Sequence, residues 1–231
     1  MEVKGPIVVK VSGSLLTPLR PSYLVEFRKA VTDLLADGYR LGIVTGGGRT
    51  AREYIAPLRE LGVGESLLDE VGIAAARLNA LALALGLLPH ASPRVPTTLV
   101  EALEIYERGL VPVLGGLQPG QSTNAVALEL AEALGAKLVV NLLNGVDGVY
   151  DRNPSEPGAV KYDILDYDTM EDIVSAKESY AGTYELFDKV ALEVARRSSI
   201  RVLFMDGTNP SDIVAAVRGL RKLGTLLGPK S

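Results

Sequence analysis

Four glycine-rich segments each follow a short apolar run, and their residue types could do chemistry. The segments are residues 10–14, 45–50, 115–124 and 144–150. Glycine lets backbone N–H groups approach an anion closely, and the start of a following helix adds a favourable dipole. One such turn alone is more often structural than functional. Four of them in a short chain favour binding of phosphate groups.

The third segment needs a positive charge from elsewhere in the chain. Gly115 and Gly120 have the spacing of a Walker motif, but Gln121 stands where that motif has its lysine, which excludes a true P-loop. Lys10 is the best candidate, because it interrupts an apolar strand where an unpaired ammonium group is costly to bury. The alternative is a lysine on an edge strand that reaches solvent. Arg52 follows the triple glycine by one helical turn and is either a second phosphate ligand or a solvated helix residue.

Candidate residues for acid–base catalysis are few in this sequence. The single histidine, His90, lies in a proline-flanked loop and is interpreted as an ordinary surface residue. Asp147 and Asp188 either orient lysines or bind a metal, or they are turn and capping residues. Transfer between two phosphates needs no base, because the acceptor oxygen is already anionic at neutral pH. The sequence therefore predicts a phosphoryl transferase that uses Mg²⁺.

The elements that must position these residues alternate between short β-branched runs and longer amphipathic segments. This pattern predicts an α/β fold, a three-layer α/β/α sandwich with a mainly parallel central sheet. The predicted strands are residues 7–11, 40–45, 110–114, 137–142 and 200–205. The predicted helices are residues 21–35, 49–61, 65–85, 122–134, 168–175, 186–198 and 210–220. Ligands of such sheets bind beyond the carboxyl ends of the strands, which is where the four glycine segments fall.

Composition excludes several classes of protein. The chain has 231 residues, no cysteine and one histidine, so disulfides, thiolate nucleophiles and cysteine-based metal sites are excluded. Its net charge of −4 argues against binding to nucleic acid or to an anionic membrane. We find neither a signal peptide nor an apolar run near the ~20 residues that span a bilayer, so we expect a cytoplasmic protein. Without linkers or repeats, we expect a single domain over residues 1–231.

Several motifs resemble those of a known family. KVSGS at 10–14, TGGG at 45–48 with Arg52, and VDGVY at 146–150 followed by Asn153 resemble the amino acid kinase superfamily. Three further segments resemble its archaeal type of uridylate kinase, namely Gly72-Ile73 with Arg77 and Asn79, QPGQST at 118–123, and AGTYEL at 181–186. The resemblance runs from about residue 7 to residue 206, with the motifs in family order.

The resemblance implies ATP-dependent conversion of UMP to UDP, assisted by Mg²⁺, in pyrimidine nucleotide biosynthesis. It also implies a homo-oligomer, typically a hexamer, whose N-terminal part binds UMP and whose C-terminal part binds ATP. Lys10 would be catalytic, and Asp69 would accept hydrogen bonds from the ribose hydroxyls. The implied ATP ligands are Lys10, Val11, Ser12, Gly13, Ser14, Gly48, Arg52, Asn144, Tyr150 and Asn153. The implied UMP ligands are Gly47, Asp69, Gln118, Pro119, Gly120, Gln121, Ser122, Thr123 and Asn124.

Three positions depart from the family pattern. Many relatives have an aspartate that orients the catalytic lysines where this chain has Asn124, and often a threonine and an aspartate where it has Asn144 and Asn153. We hypothesise that Asp147 or Asp188 replaces the missing carboxylate at position 124.

Two alternatives stay open at this point. The first is another phosphotransferase of the superfamily, acting on acetylglutamate, carbamate, aspartate or isopentenyl phosphate. The isopentenyl phosphate enzymes have a catalytic histidine after the glycine turn, whereas this turn continues with Arg49 and Thr50. The second alternative is a non-catalytic, nucleotide-dependent storage or regulatory protein on the same fold.

Overall fold

The computed structural model of the chain describes residues 4–177, 187–219 and 223–230. Its strands are β1 Ile7–Val11, β2 Leu41–Thr45, β3 Val113–Leu114, β4 Leu138–Leu143, β5 Val149–Tyr150, β6 Lys161–Tyr162, β7 Ile164–Asp166, β8 Arg201–Asp206 and β9 Thr225–Gly228. Its helices are α1 Pro21–Ala36, α2 Gly48–Glu60, α3 Glu65–Gly86, α4 Leu99–Glu107, α5 Thr123–Leu134, α6 Tyr167–Lys177, α7 Lys189–Arg197 and α8 Asp212–Val217.

The central sheet has the strand order β3-β2-β1-β4-β8-β9-β7. β1 pairs in parallel with β2 and β4, and the pairs β2–β3, β4–β8 and β7–β9 are also parallel, whereas β8 and β9 are antiparallel. A separate antiparallel hairpin consists of β5 and β6. Because β2 and β4 lie on opposite sides of β1, the strand order reverses there, and such a switch point opens a crevice at the carboxyl edge of the sheet.

Helices cover both faces of the sheet and create two apolar cores. One core joins β1 through Val8 to α5, α6 and α7, and the other joins β1 through Val9 and Val11 to α1, α3 and α8. Side chains alternate between faces along a strand, so Lys10 lies on the same face as Val8, under α5 and α7. The predicted three-layer α/β/α sandwich with a mainly parallel sheet is therefore confirmed.

The structure also corrects the predicted element boundaries. The third predicted strand shrinks to Val113–Leu114, and the fourth glycine-rich segment contains β5. The elements α4, β6, β7 and β9 were not predicted; the three strands among them, of two to four residues, are too short to show a period. The AGTYEL motif at 181–186 and the first residue of the helix predicted at 186–198 lie outside the described residues. Within the described ranges, no helix is both long and apolar enough to cross a bilayer.

Candidate active site

The first two glycine segments form one continuous surface at the carboxyl edge of the sheet. A Cβ atom on Gly13 would lie closer than 3.0 Å to the backbone of Gly46 and Gly48, and one on Gly48 would overlap Gly13 in the same way. Gly48 also begins α2 with a φ of +61°, a conformation that favours glycine. The backbones of the first two glycine segments are therefore in direct contact, and their N–H groups lie close together.

Lys10 lies in the middle of the sheet, so its interpretation as an edge-strand residue is wrong. Its neighbours in register are Val44 on β2 and Asn141 on β4. Burial lowers the pKa of Lys10 to about 8, and the nearby negative charge of Asp188 acts in the opposite direction. Among the described residues, no hydrogen bond engages the Lys10 ammonium group. Its charge is therefore available to an anionic ligand.

Asp188 connects the starts of two helices beside Lys10. As the N-cap of α7, its carboxylate accepts a hydrogen bond from the N–H of Ala191 at 3.0 Å. It also accepts one from the hydroxyl of Ser122, which itself caps α5 by accepting from the N–H of Ala125 at 3.0 Å. Both helices thus present their N-terminal ends near the ammonium group.

Asp147 is engaged elsewhere. It accepts hydrogen bonds from the hydroxyl of Tyr150 at 2.6 Å and from the ammonium group of Lys161 at 2.8 Å. These two hydrogen bonds lower the pKa of Asp147. Of the two carboxylates hypothesised to replace the one missing at Asn124, the structure therefore favours Asp188.

A cleft on the β2 side of Lys10 brings most of the predicted UMP ligands together. Its lining includes Gly47, Asp69, Gln118, Gln121 and Thr123. The Asp69 carboxylate accepts a hydrogen bond from the N–H of Gly120 at 2.8 Å, which ties the third glycine segment to α3.

Arg52 reaches from the first turn of α2 to the first glycine segment. Its Nη2 donates a hydrogen bond to the hydroxyl of Ser14 at 3.2 Å; Arg52 is exposed and Ser14 is half-buried. The guanidinium group therefore lies beside the first glycine segment, and its role as a phosphate ligand stays a prediction. It supplies a second positive charge beside the two touching loops.

The remaining predicted ATP ligands lie on the β4 side of Lys10. Asn144 follows β4 and is exposed, Tyr150 belongs to the β5–β6 hairpin, and Asn153 lies in the loop of that hairpin. The Asn153 Oδ1 accepts hydrogen bonds from the N–H and the hydroxyl of Ser155, at 3.0 and 2.8 Å. The predicted ATP ligands are therefore divided, because Gly48 and Arg52 belong to α2 after β2, whereas Asn144, Tyr150 and Asn153 lie on the β4 side.

Sequence reasoning gave no role to two polar residues of α3 that hold the loops in place. Arg77 donates hydrogen bonds to the carbonyls of Gly116 and Leu117, at 3.0 and 3.2 Å. Asn79 is buried and donates to the carbonyl of Gly46 at 2.8 Å. Both interrupt the Ala- and Leu-rich run of α3, and this interruption was the available signal.

Fold and site together define an α/β protein with a lysine in the middle of its central sheet and glycine-rich loops at the carboxyl edge. The model of the amino acid kinase family matches residues 5–206, and the chain belongs to this family. It is 50% identical over 214 residues to the uridylate kinase of Aeropyrum pernix, covering 92% of this chain and 95% of that protein. It is 43% identical over 225 residues to the uridylate kinase of Hyperthermus butylicus, covering 97% and 98%. The crystal structure of uridylate kinase from Archaeoglobus fulgidus superposes with a TM-score of 0.85 at 38% identity, covering 96% of this chain and 99% of that one.

Proposed function

We propose that this protein is a uridylate kinase that transfers the γ-phosphoryl group of ATP to UMP in pyrimidine nucleotide biosynthesis in the cytoplasm. The observation that carries the proposal is the central position of Lys10, with a loop-lined cleft on its β2 side and the predicted ATP ligands Asn144 and Tyr150 on its β4 side. Two nucleotides bound on these two sides would bring their phosphate groups together at the ammonium group of Lys10. Relatives named uridylate kinase, up to 50% identical, support this acceptor.

The proposed chemistry depends on alignment and charge. A phosphate oxygen of UMP attacks the γ-phosphorus, the bond to the β–γ bridging oxygen breaks, and ADP leaves with those electrons. Lys10 stabilises the charge on the transferring group, while the first two glycine segments and Arg52 hold the ATP phosphates. Asp69 and residues 118–124 hold UMP. No side chain has to remove a proton, in keeping with the small number of candidates for acid–base catalysis.

Mg²⁺ would enter as the complex of ATP. Among the residues that the structure describes, no group of three or more His, Cys, Asp or Glu side chains could hold a metal ion. Mg²⁺ is commonly bound by substrate phosphates with one or two carboxylates rather than by an all-protein cage, so the residues present fit such a complex. When bound, the ion would neutralise phosphate charge, and Asp188, whose charge acts on Lys10, is a carboxylate that would help to hold it.

Steady-state kinetics with Mg²⁺ and ATP tests the proposal directly. The acceptors offered are UMP, CMP, acetylglutamate and carbamate, each to the same preparation. We expect phosphorylation of UMP with the highest kcat/KM. A higher kcat/KM for an acylphosphate-forming acceptor would contradict the proposal, and ATP binding without any UDP formation would favour the storage alternative.

The Asp188→Asn variant tests the carboxylate beside Lys10. Asparagine also caps helices well, so α7 should keep its N-cap and the change removes mainly charge. Because the Asp188 charge raises the pKa of Lys10, its loss should lower that pKa, and the alkaline limb of the kcat–pH profile should move to lower pH. Asp147→Asn is the matched control and should keep the parent profile. Identical profiles for all three proteins would remove Asp188 from the mechanism.

The Asp69→Ala variant tests the UMP cleft. We expect KM for UMP to rise by about 10- to 100-fold, the scale of one lost charged hydrogen-bond partner with its loop contact, and kcat to change less. Asp69→Asn should lie between parent and alanine variant, because it keeps an acceptor for the N–H of Gly120. UMP saturation curves that superimpose for parent and alanine variant would count against a role in binding ribose.

We also propose that α3 joins two copies of the chain in a homo-oligomer, with a hexamer as the expected assembly. Apolar residues recur on its outer face with alternating spacings of four and three, the pattern of a helix that packs along another helix; they are Leu67, Val71, Ala74, Leu78, Leu81 and Leu85. The exposed fractions of Leu67, Leu78 and Leu85 are 65%, 60% and 51%. Exposed apolar stripes of this length mark interaction surfaces, and a symmetric dimer pairs the same stripe from both copies.

The Leu78→Glu variant should dissociate the proposed assembly. A charge at the centre of the stripe would face its own copy across a symmetric interface, so repulsion and desolvation act together. Sedimentation velocity should show a smaller species than the parent. Val25→Glu is the matched control, since Val25 is 65% exposed on α1 and lies outside the stripe. Equal sedimentation coefficients for parent and both variants would contradict this interface.

A further inference from the structure

A buried amide lies directly beside the catalytic lysine. Asn141 on β4 is the register partner of Lys10 on β1, and only 1% of its surface is exposed. Partners in register on parallel strands point to the same face of the sheet. Both side chains therefore extend toward α5 and α7, into the layer that also contains Asn124 and Asp188.

Only one of the two polar atoms of the Asn141 amide is hydrogen-bonded. Its Nδ2 donates to the Oδ1 of Asn124 at 3.3 Å, whereas its own Oδ1 is buried without a hydrogen-bond partner in the described part of the chain. The ammonium group of the neighbouring Lys10 is a hydrogen-bond donor that likewise has no partner among the described residues. Buried polar groups are hydrogen-bonded in the great majority of cases. The Oδ1 of Asn141 and the ammonium group of Lys10 belong to register partners, and neither has a hydrogen-bond partner among the described residues. This indicates that the two groups contact each other during the catalytic cycle.

We infer that Asn141 is a positioning residue for Lys10, whose Oδ1 accepts one N–H of the ammonium group and leaves the other two for the transferring phosphoryl oxygens. Asn124 fixes the orientation of the Asn141 amide, because the Oδ1 of Asn124 accepts a hydrogen bond from the Nδ2 of Asn141. The Oδ1 of Asn141 therefore points away from Asn124. The inference deepens the proposed kinase reaction and rests on it. Asn141 acts through Lys10 and has no substrate contact of its own.

A neutral acceptor suits this position because it orients the ammonium group without neutralising it. The side chains that face Lys10 are Val44 from β2, Asn141 from β4, Asn124 from α5 and Asp188 from the start of α7. Asp188 is the one charged group among these four. A second carboxylate in this layer would bind the ammonium group more tightly to the protein and leave less of its field for the phosphoryl group.

Two variants of Asn141 test the inference, each compared with Val140→Ala. Val140 is buried on the same strand but points to the opposite face, so its variant reports a purely structural disturbance of β4. Asn141→Leu keeps the approximate volume and loses the acceptor. We expect kcat to fall at least about tenfold while KM for UMP and ATP stays within about twofold, because the lost contact orients a group that acts in the transition state.

Asn141→Asp keeps the acceptor and adds a charge next to the ammonium group, which should raise the pKa of Lys10 by about one unit or more. Competitive acylation of the protein between pH 7 and 11, read by mass spectrometry at Lys10, measures this pKa without substrates. The Val140→Ala protein should retain the parent pKa, which burial sets at about 8. Labelling needs no turnover, so its result is independent of which acceptor the enzyme uses.

The possible results distinguish the positioning role of Asn141 from the proposed function. A parent-like kcat for Asn141→Leu would overturn the positioning role, as would an unchanged pKa of Lys10 in a folded Asn141→Asp protein. Where circular dichroism shows that the aspartate variant does not fold, the kcat of the leucine variant decides. Failure of every acceptor in the substrate panel would instead contradict the proposed function, while the labelling result would still report whether Asn141 contacts Lys10.

Discussion

Replacing Lys10 with methionine should lower kcat by about 10²–10³, the scale for removing one preorganised charge partner of a transition state. The same substitution should stabilise the fold. Burial lowers the pKa of Lys10 to about 8 from its ordinary value of 10.5, so the ammonium group is destabilised in the native state. At ~1.4 kcal/mol per pKa unit, removing it should raise the free energy of unfolding at pH 7 by roughly 1–3 kcal/mol.

The pH dependence of stability gives this prediction a second readout. Between pH 8 and 10.5 the unfolded chain keeps a proton on Lys10 that the native state releases, so the stability of the parent rises with pH across this window. The methionine variant should lack that rise. Urea unfolding at pH 7, 9 and 10.5, together with steady-state kinetics at pH 7, measures both effects.

Lys29→Met is the matched control, because Lys29 is exposed on α1. It should change neither kcat nor the slope of stability against pH. An unchanged kcat in the Lys10→Met protein would remove Lys10 from the mechanism. A loss of stability at neutral pH would show that the ammonium group already has a strong partner in the native state.

Replacing Gly13 with alanine should damage both the fold and ATP use. The new Cβ would lie closer than 3.0 Å to backbone atoms of Gly46 and Gly48, which no side-chain movement can relieve. The two loops must then separate, at a cost of about 1–3 kcal/mol typical of overpacked sites. A shift of about 1 Å in the phosphate-binding backbone can cost ~10²-fold in rate, so we expect kcat/KM for ATP to fall by at least that factor.

Gly5→Ala is the control for this substitution. Gly5 lies before β1, and a Cβ there would meet no atom within 4 Å. Thermal unfolding and ATP saturation curves should be those of the parent. If Gly13→Ala also retained the parent kcat/KM for ATP, the contact between the first two glycine segments would have no part in nucleotide binding.

Much of the site could be predicted from local pattern alone. A lysine inside an apolar strand and glycine segments behind apolar runs are visible along the chain, and β1 covers Ile7–Val11 as predicted. The same pattern left two positions open for Lys10, in a covered strand or on an edge strand that reaches solvent, and the central place of β1 in the sheet decided between them. The helix predicted over residues 65–85 also matches α3 closely, Glu65–Gly86, since 22 residues show their period clearly.

The neighbours of Lys10 could not be predicted in this way. Asn141 is 131 positions further along the chain, and only the pairing of β4 with β1 brings the two side chains together. The same holds for Asp188, which meets Lys10 because α7 packs on the same face of the sheet as α5. Strand order arises from the joint packing of all helices on the sheet, and it leaves no periodic signal in any one segment.

The sequence by itself therefore determined the class of fold, the lysine that carries the charge and the loops that surround it. The tertiary structure decided which carboxylate and which amides surround that lysine, and which side of β1 each loop occupies. The physical reason is that hydrophobic period and glycine turns act over a few residues, whereas the electrostatic environment of a buried charge depends on groups that are distant in the chain and adjacent in space.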